Sequence, residues 1–358
     1  MILTVTLNTA LDLTYRVPRL DVHGSHQARD VTERPGGKGL NVARVLAALG
    51  HATVVTGFAG GRTGEWVREL LSREAGVSDA LVPTGGSTRR TVGIVDESTG
   101  DATQFNEPGP HIAADEWAAF LEMYGKLLRC NAPAGHGSSH PGDGPPPRDG
   151  GSGDGGSGDG GSGEGAAGGG PAGGSSRIKA VALCGSLPPG VPVGAYALLI
   201  REAHAADVPV VLDTSGEPLR RGLAARPDLV KPNAGELAGI TGTTEPLRAA
   251  RAAQRRGAHA VAASLGPEGM LLVTPDGTWQ ASPPRPLTGN PTGAGDSAVA
   301  GLISGLVERL PWPERLARAV ALSAATVRAP TAGEFDEEVH RDLLAQVRVE
   351  ERGEAAAD

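Results

Sequence analysis

NPTGAGDSAVAGL, residues 290–302, decides how this chain is read. Gly293, Ala294 and Gly295 are small, so bare backbone N–H groups can come close to a ligand there. The apolar run behind them predicts a helix from Ala294 to about Arg309, which sets those amides at a positive helix end and makes a cradle for an anion. Asp296 stands on the first turn beside it, where a carboxylate can take a proton from a hydroxyl. An anion cradle with an adjacent base is what phosphoryl transfer to an alcohol needs. Alone, the same letters also describe a capped helix start with an acidic first turn. The rest of the chain decides between the two.

The 358 residues suffice for one large α/β domain. Residues 131–176 are mostly Gly, Ser, Pro and Asp and include the near-repeat GGSGDGGSGDGGSGEG. Such a segment buries too little apolar surface to offset its ordering entropy, so it is expected to be a disordered insertion. Residues 1–349 then form a single domain, with 350–358 a flexible tail. A net charge of −8 argues against nucleic-acid and membrane-surface partners. Two cysteines, Cys130 and Cys184, allow no disulfide framework and no Cys-rich metal site, and the nine histidines show no metal-ligand spacing. The N-terminus lacks a basic leader and no apolar run reaches the roughly 20 residues of a membrane span, so the cytoplasm is the expected compartment.

Period-2 and β-branched runs predict strands at 1–7, 53–60, 178–185, 208–216, 228–233, 259–266 and 269–274. Helical spacing predicts helices at 39–50, 63–76, 115–129, 192–207, 234–240, 245–256, 294–309, 313–328 and 336–347. This alternation points to an α/β fold with a doubly wound, mostly parallel central sheet flanked by helices. Short strands near 12–17 and 28–34, and a hairpin over 89–97 and 101–107, do not fit the alternation. They are expected to form a small β-sheet lid over the site, its strands within about 12–34 and 88–107.

Several turns carry candidate binding groups. PGGKGLNVA at 35–43 places Gly37, Lys38 and Asn41 at a helix start, suited to a phosphate or a sugar hydroxyl. It lacks Walker A spacing, and a Gly turn with a solvated lysine is the plainer reading. Asp12 follows the first strand, where it either accepts from sugar hydroxyls or bonds its own backbone. In STRRTVGIV (87–95) strand alternation puts Arg89 and Arg90 on opposite faces, so at most one reaches a substrate phosphate. FNEPG at 105–109 offers Asn106, and GSLPPG at 185–190 holds Ser186 in a stiff turn with no base at nucleophile-elbow spacing. VKPNAGEL at 230–237 supplies Lys231, Asn233 and Glu236. The last two are oxygen donors for Mg²⁺ or partners in a capping box, and the readings are compatible. SLGPEG brings Ser264, Gly266 and Gly269 to a turn that a nucleotide could approach.

These segments, in this order, resemble the ribokinase-like (PfkB) carbohydrate kinases from Met1 to about Val347, with the Gly-rich insertion as the large departure. The combination is most similar to the branch that phosphorylates sugar phosphates. The resemblance implies a ribokinase-like fold and an ATP- and Mg²⁺-dependent kinase of a phosphorylated ketohexose. Fructose 1-phosphate is the favoured acceptor, with tagatose 6-phosphate or fructose 6-phosphate as alternatives. A non-catalytic sugar-phosphate sensor is the reading from another class. By the same resemblance Asp296 is the catalytic base and Gly293, Ala294 and Gly295 form the anion hole. Asn233 and Glu236 serve Mg²⁺, through water, and the ATP phosphates. Lys231, Ser264, Gly266 and Gly269 belong to the nucleotide side. Asp12, Gly37, Lys38, Asn41, Arg89, Asn106 and Ser186 belong to the sugar-phosphate side, with Lys38 and Arg89 neutralising the phosphate already on the sugar. A homodimer through the lid is the expected assembly. Two departures stand out: Asn290-Pro291 opens the signature where Asp-Thr or Ser-Thr is commoner, and Thr91 stands where many members carry Asn.

Overall fold

A computed structural model describes residues 1–129, 177–285, 287–329 and 331–353. The predicted insertion at 131–176 and the end of the predicted tail lie outside the described residues.

Among the described residues the main sheet has eleven strands, numbered in chain order. Its parallel part runs β12 (Ala260–Ser264), β11 (Leu229–Val230), β10 (Val210–Asp213), β9 (Ala180–Cys184), β1 (Ile2–Thr6), β4 (Thr53–Gly60) and β5 (Val77–Asp79). β6 (Val82–Thr84) pairs with the far end of β4. Beyond β12 the sheet turns antiparallel through β13 (Met270–Val273), β14 (Thr278–Ser282) and β15 (Arg348–Glu351). β1 and β9, ILTVT and AVALC, are buried at every position, as strands covered on both faces must be.

Alternation sorts these side chains to two faces. Val181, Leu183, Leu212 and Val261 pack under α3 (Ala114–Arg129), α4 (Ala195–Ala205), α5 (Gly216–Leu223), α6 (Ala234–Thr241) and α7 (Pro246–Arg255). Ala180, Ala182, Val211 and Ala262 pack under α1 (Lys38–Ala48), α8 (Ala294–Val307) and α9 (Trp312–Thr326). The two-sided, mostly parallel architecture expected from the sequence is therefore present. α10 (Glu337–Leu344) packs on α9. No helix among the described residues is long and apolar enough to cross a membrane.

A separate sheet of four strands runs β3 (Asp30–Gly36), β2 (Ala10–Val17), β7 (Arg89–Asp96) and β8 (Ala102–Asn106). Its inner face packs Leu11 and Leu13 with Val67 and Leu71 of α2 (Gly61–Leu71). β8 is exposed along its whole length.

Four differences from the sequence expectations have physical causes. The strand expected over 208–216 stops at Asp213, and α5 begins at Gly216, inside the expected strand. GEPLRRGL is too short for its 3.6-residue period to declare itself. The helix expected over 63–76 ends at Leu71, and β5 starts at Val77. β14 carries mixed burial and reads as loop from sequence. β15 pairs with β14 and includes residues 350 and 351, so the ordered chain runs into the stretch expected to be tail.

Candidate active site

Strands β1, β9, β10, β11 and β12 all point their carboxyl ends toward the small sheet. In a parallel sheet that edge is where ligands bind. A cleft of ≈ 600 Å³ opens there. Fourteen of the residues singled out from sequence line it: Asp12, Gly37, Lys38, Asn41, Arg89, Asn106, Ser186, Lys231, Asn233, Glu236, Ser264, Gly293, Gly295 and Asp296.

At the centre stands the start of α8. Gly293 caps it in the left-handed conformation, at φ 85°. A Cβ there would lie 2.9 Å from Ala332 Cα, so both the turn and the close approach require glycine. The helix begins at Ala294, as the sequence reading held. Ala294 itself stands outside the cleft and donates its N–H to the Pro291 carbonyl at 3.1 Å. That amide is thus engaged within the turn. Among the described residues the amides of Gly293, Gly295 and Asp296 have no backbone acceptor. Asn290 accepts from Thr292 N–H at 3.0 Å, so Asn290-Pro291 changes only how the chain enters the turn.

The Asp296 carboxyl is 7% exposed and opens on the cleft. Asn41 Nδ2 donates to its Oδ2 at 2.8 Å. Burial pushes its pKa up to about 6; Lys38 and Lys231 pull it down, Asp213 pushes it up, and the Asn41 bond lowers it. A carboxylate so placed is ionised near neutral pH yet has a raised affinity for a proton.

Asp213, at the end of β10, was not singled out from sequence. It is 1% exposed and bridges two cations: Lys38 Nζ lies 3.2 Å from Oδ2 and Lys231 Nζ 3.4 Å from Oδ1. Burial opposes the charge on Lys38, but Asp213, Asp296 and Glu236 outweigh it and raise its pKa. Lys38 thus stands beside Asp296 at the floor of the cleft.

The small sheet forms the opposite wall. Asp12 lies opposite Thr91 in β7 and Arg34 in β3. Burial raises the Asp12 pKa, against the pull of Arg44, a Thr91 hydrogen bond, Arg89 and the Gly37 N–H. Arg89 faces the cleft, donating to the Asn8 carbonyl at 3.1 Å and to the Thr91 hydroxyl at 3.2 Å. Arg90 turns outward to Glu107 at 2.7 Å, as alternation required. Asn8 Nδ2 donates to Pro108 O and Ser186 Oγ, both at 3.1 Å, and ties the two sheets together.

On the far side, Asn233 and Glu236 form the capping box: Asn233 N–H donates to Glu236 Oε2 at 2.9 Å and Glu236 N–H to Asn233 Oδ1 at 2.8 Å. The amide oxygen of Asn233 is thereby engaged, and Glu236 Oε1 is the oxygen that remains. Among the described residues no group of three or more His, Cys, Asp or Glu side chains is placed to hold a metal ion. Such a donor set suits a hydrated hard cation that arrives with phosphates. Gly266 and Gly269 stand outside the cleft. A Cβ at Gly269 would lie 2.0 Å from the Ala281 carbonyl, so β14 accounts for that glycine.

The pattern of the pfkB family carbohydrate kinases matches residues 5–130 and 176–338. A curated relative, the 1-phosphofructokinase of Bacillus subtilis, is 31% identical over 354 residues, covering 98% of this chain and 99% of its own. Phosphofructokinase-2 of Escherichia coli in complex with fructose-6-phosphate superposes with a TM-score of 0.75 at 27% identity, covering 96% of this chain and 98% of that one. The ribokinase of Arabidopsis thaliana, complexed with ribose and ATP, shares the fold with a TM-score of 0.64 at 21% identity, over 96% of this chain and 98% of its own.

The electrostatics of Asp296 make a stability prediction. Its proton is held more tightly in the folded state, with a pKa of about 6 against a reference of 3.8. Its contribution to folding is therefore fully present below pH 3.8 and is lost as pH rises through about 6. Asp296→Asn removes the buried charge, so the variant should be more stable than wild type at pH 8, by up to about 3 kcal/mol. Urea unfolding at pH 8, 6 and 4 should show that gap closing on acidification; a variant less stable at pH 8, or a gap independent of pH, would contradict the assignment.

Proposed function

The chain belongs to the pfkB family of carbohydrate kinases, and we propose that it transfers the γ-phosphoryl group of ATP to fructose 1-phosphate, giving fructose 1,6-bisphosphate. One observation carries this reading. A nearly buried carboxylate, Asp296, opens on a cleft at a helix N-terminus with two lysines beside it. The curated relative named for that activity is alike along almost the whole chain.

The residues act as follows. Asp296 takes the proton of the acceptor hydroxyl while that oxygen attacks the γ-phosphorus. The bond from phosphorus to the bridging oxygen breaks, and ADP leaves with the electron pair. Negative charge spread over the transferred oxygens faces the amides of Gly293, Gly295 and Asp296, which are already oriented. Lys38, held to Asp213 and acting on Asp296, faces the same group. Arg89 meets the phosphate already on the sugar from the small sheet, and Asp12 and Asn106 meet sugar hydroxyls. Ser186 fixes Asn8 at the seam between the sheets. Asn233, Glu236, Lys231 and Ser264 line the nucleotide side. Glu236, fixed by the Asn233 N–H, would hold a Mg²⁺ ion through water on that side, and the ion would supply charge neutralisation for the phosphates. The small sheet covers both substrates and keeps out water that would compete as acceptor. Both substrates are metabolites of the cytoplasm, where we place the protein.

We also propose that two copies pair through the small sheet. β8 is an exposed edge strand bearing Phe105, which is 59% exposed, and a paired edge is protected from unspecific association. Sedimentation velocity should give the mass of a dimer, and Phe105→Asp should shift it toward monomer; a wild-type monomer at micromolar concentration refutes the pairing.

ADP release with a panel of hexose monophosphates tests the activity, and fructose 1-phosphate should give the highest kcat/KM. A preference for tagatose 6-phosphate or fructose 6-phosphate would move the assignment within the family, and no turnover with any sugar phosphate would reject it. Asp296→Asn should lower kcat at least about a hundredfold. Arg89→Ala should raise KM for the sugar phosphate at least about tenfold while KM for ATP stays within about threefold. Equal effects on both substrates would remove Arg89 from the sugar side.

A further inference from the structure

The Asn41 amide has a donor end and an acceptor end, and a half-turn exchanges them. Its Nδ2 donates to Asp296 Oδ2 at 2.8 Å. Its Oδ1 accepts from Arg44 Nη2 at 2.6 Å, one turn further along α1. A guanidinium offers only donors, so the atom that faces it must be the oxygen. Arg44 is itself fixed. Nη2 also donates to the Pro35 carbonyl at 2.9 Å, and Gly333 lies flat against the group: a Cβ there would sit 2.9 Å from Nε.

The surroundings of Arg44 make packing alone a poor account. It is 7% exposed, and its Nε and Nη1 have no hydrogen-bond partner among the described residues. Asp12, Glu74 and Glu334 act on its charge from a distance, and Arg34 opposes it. An apolar side chain of like length would fill such a place at lower desolvation cost.

We infer that Arg44 is a positioning residue for the base: it locks the Asn41 amide in the orientation that donates to Asp296 Oδ2, and so leaves Oδ1 to take the proton of the acceptor. The inference rests on the proposed role of Asp296. The other titratable groups facing that carboxyl are Lys38 from α1, Lys231 after β11, Asp213 ending β10 and the buried Cys184 ending β9. None of them bonds the Asn41 amide. Without Arg44 the Asn41 oxygen loses that donor, and the turned amide becomes accessible. Its oxygen repels an ionised Asp296 and accepts from a protonated one, so the turned state favours the protonated base.

The test compares Arg44→Met, Arg44→Lys, Asn41→Ala and the double variant Arg44→Met with Asn41→Ala, in assays from pH 5 to 9. Arg44→Met should lower kcat about tenfold and move the acid limb of kcat/KM up by about half a pH unit, with both KM values within about threefold. Arg44→Lys, which keeps a charged donor, should recover part of the shift. The double variant should match Asn41→Ala within about twofold, because the two residues act in series. An unshifted acid limb in Arg44→Met, or losses that multiply in the double variant, overturns the inference. Should Arg44→Met not fold, an unshifted limb in Asn41→Ala overturns it equally. Wild-type protein inactive on every sugar phosphate would instead strike the kinase reading. In that case the titration of Asp296 remains measurable without turnover, as the pH at which the stability gap between each background and its Asp296→Asn partner closes. That pH should be higher in Arg44→Met than in wild type, and an equal pH refutes the role.

Discussion

Asp296, Lys38 and Lys231 line one cleft, Asp213 lies buried against both lysines, and the placing of these four charges governs the rest of the site. Asp213 is in contact with both Lys38 and Lys231. It therefore engages the two cations that would otherwise hold Asp296 as a weak base. With the lysines so engaged, burial dominates at Asp296 and its pKa rises to about 6. Both lysines still face the region where phosphate charge would develop. A base of raised proton affinity thus stands beside a cationic, amide-lined surface: burial outweighs the pull of Lys38 and Lys231, and Asp213 adds to the rise.

The fold supplies these groups from separate strand ends. Asp213 ends β10, Lys231 follows β11, and Lys38 and Asn41 open α1. Asp296 opens α8. Parallel pairing brings the strand ends to one edge, and buried strands on both faces fix their height. The small sheet joins the same edge through two devices. Asn8 bonds across to Pro108 and Ser186, and Asp12 lies within reach of the charge of Arg44, which in turn holds Asn41. A charge on the small sheet and the proposed base thus both act on the Arg44–Asn41 pair.

What was legible in the sequence is what local chemistry controls. The TGAGD turn needs glycine at a left-handed position and starts a helix, and both are visible in a few letters. The capping box at Asn233 and Glu236 is likewise a four-residue device. Alternation separated Arg89 from Arg90 correctly, because a strand has only two faces. Asp213 escaped notice because VVLDTSG reads as an ordinary strand end. Its meaning comes from Lys38, 175 residues away in sequence. Arg44 is illegible for the same reason, since Gly333 comes to it, and Asp296 to its partner Asn41, only in three dimensions. At Gly269 a glycine that yields to a ligand and one that yields to β14 look alike in one dimension, and only the folded chain shows the Ala281 carbonyl against it.

The most direct measurement is a crystal structure of the protein with fructose 1-phosphate and a non-hydrolysable ATP analogue. The account predicts the 6-hydroxyl oxygen about 3 Å from the Asp296 carboxylate, with the γ-phosphate against the Gly293 and Gly295 amides. Both ligands bound in the cleft, with that hydroxyl out of reach of Asp296 and another side chain in its place, would contradict it.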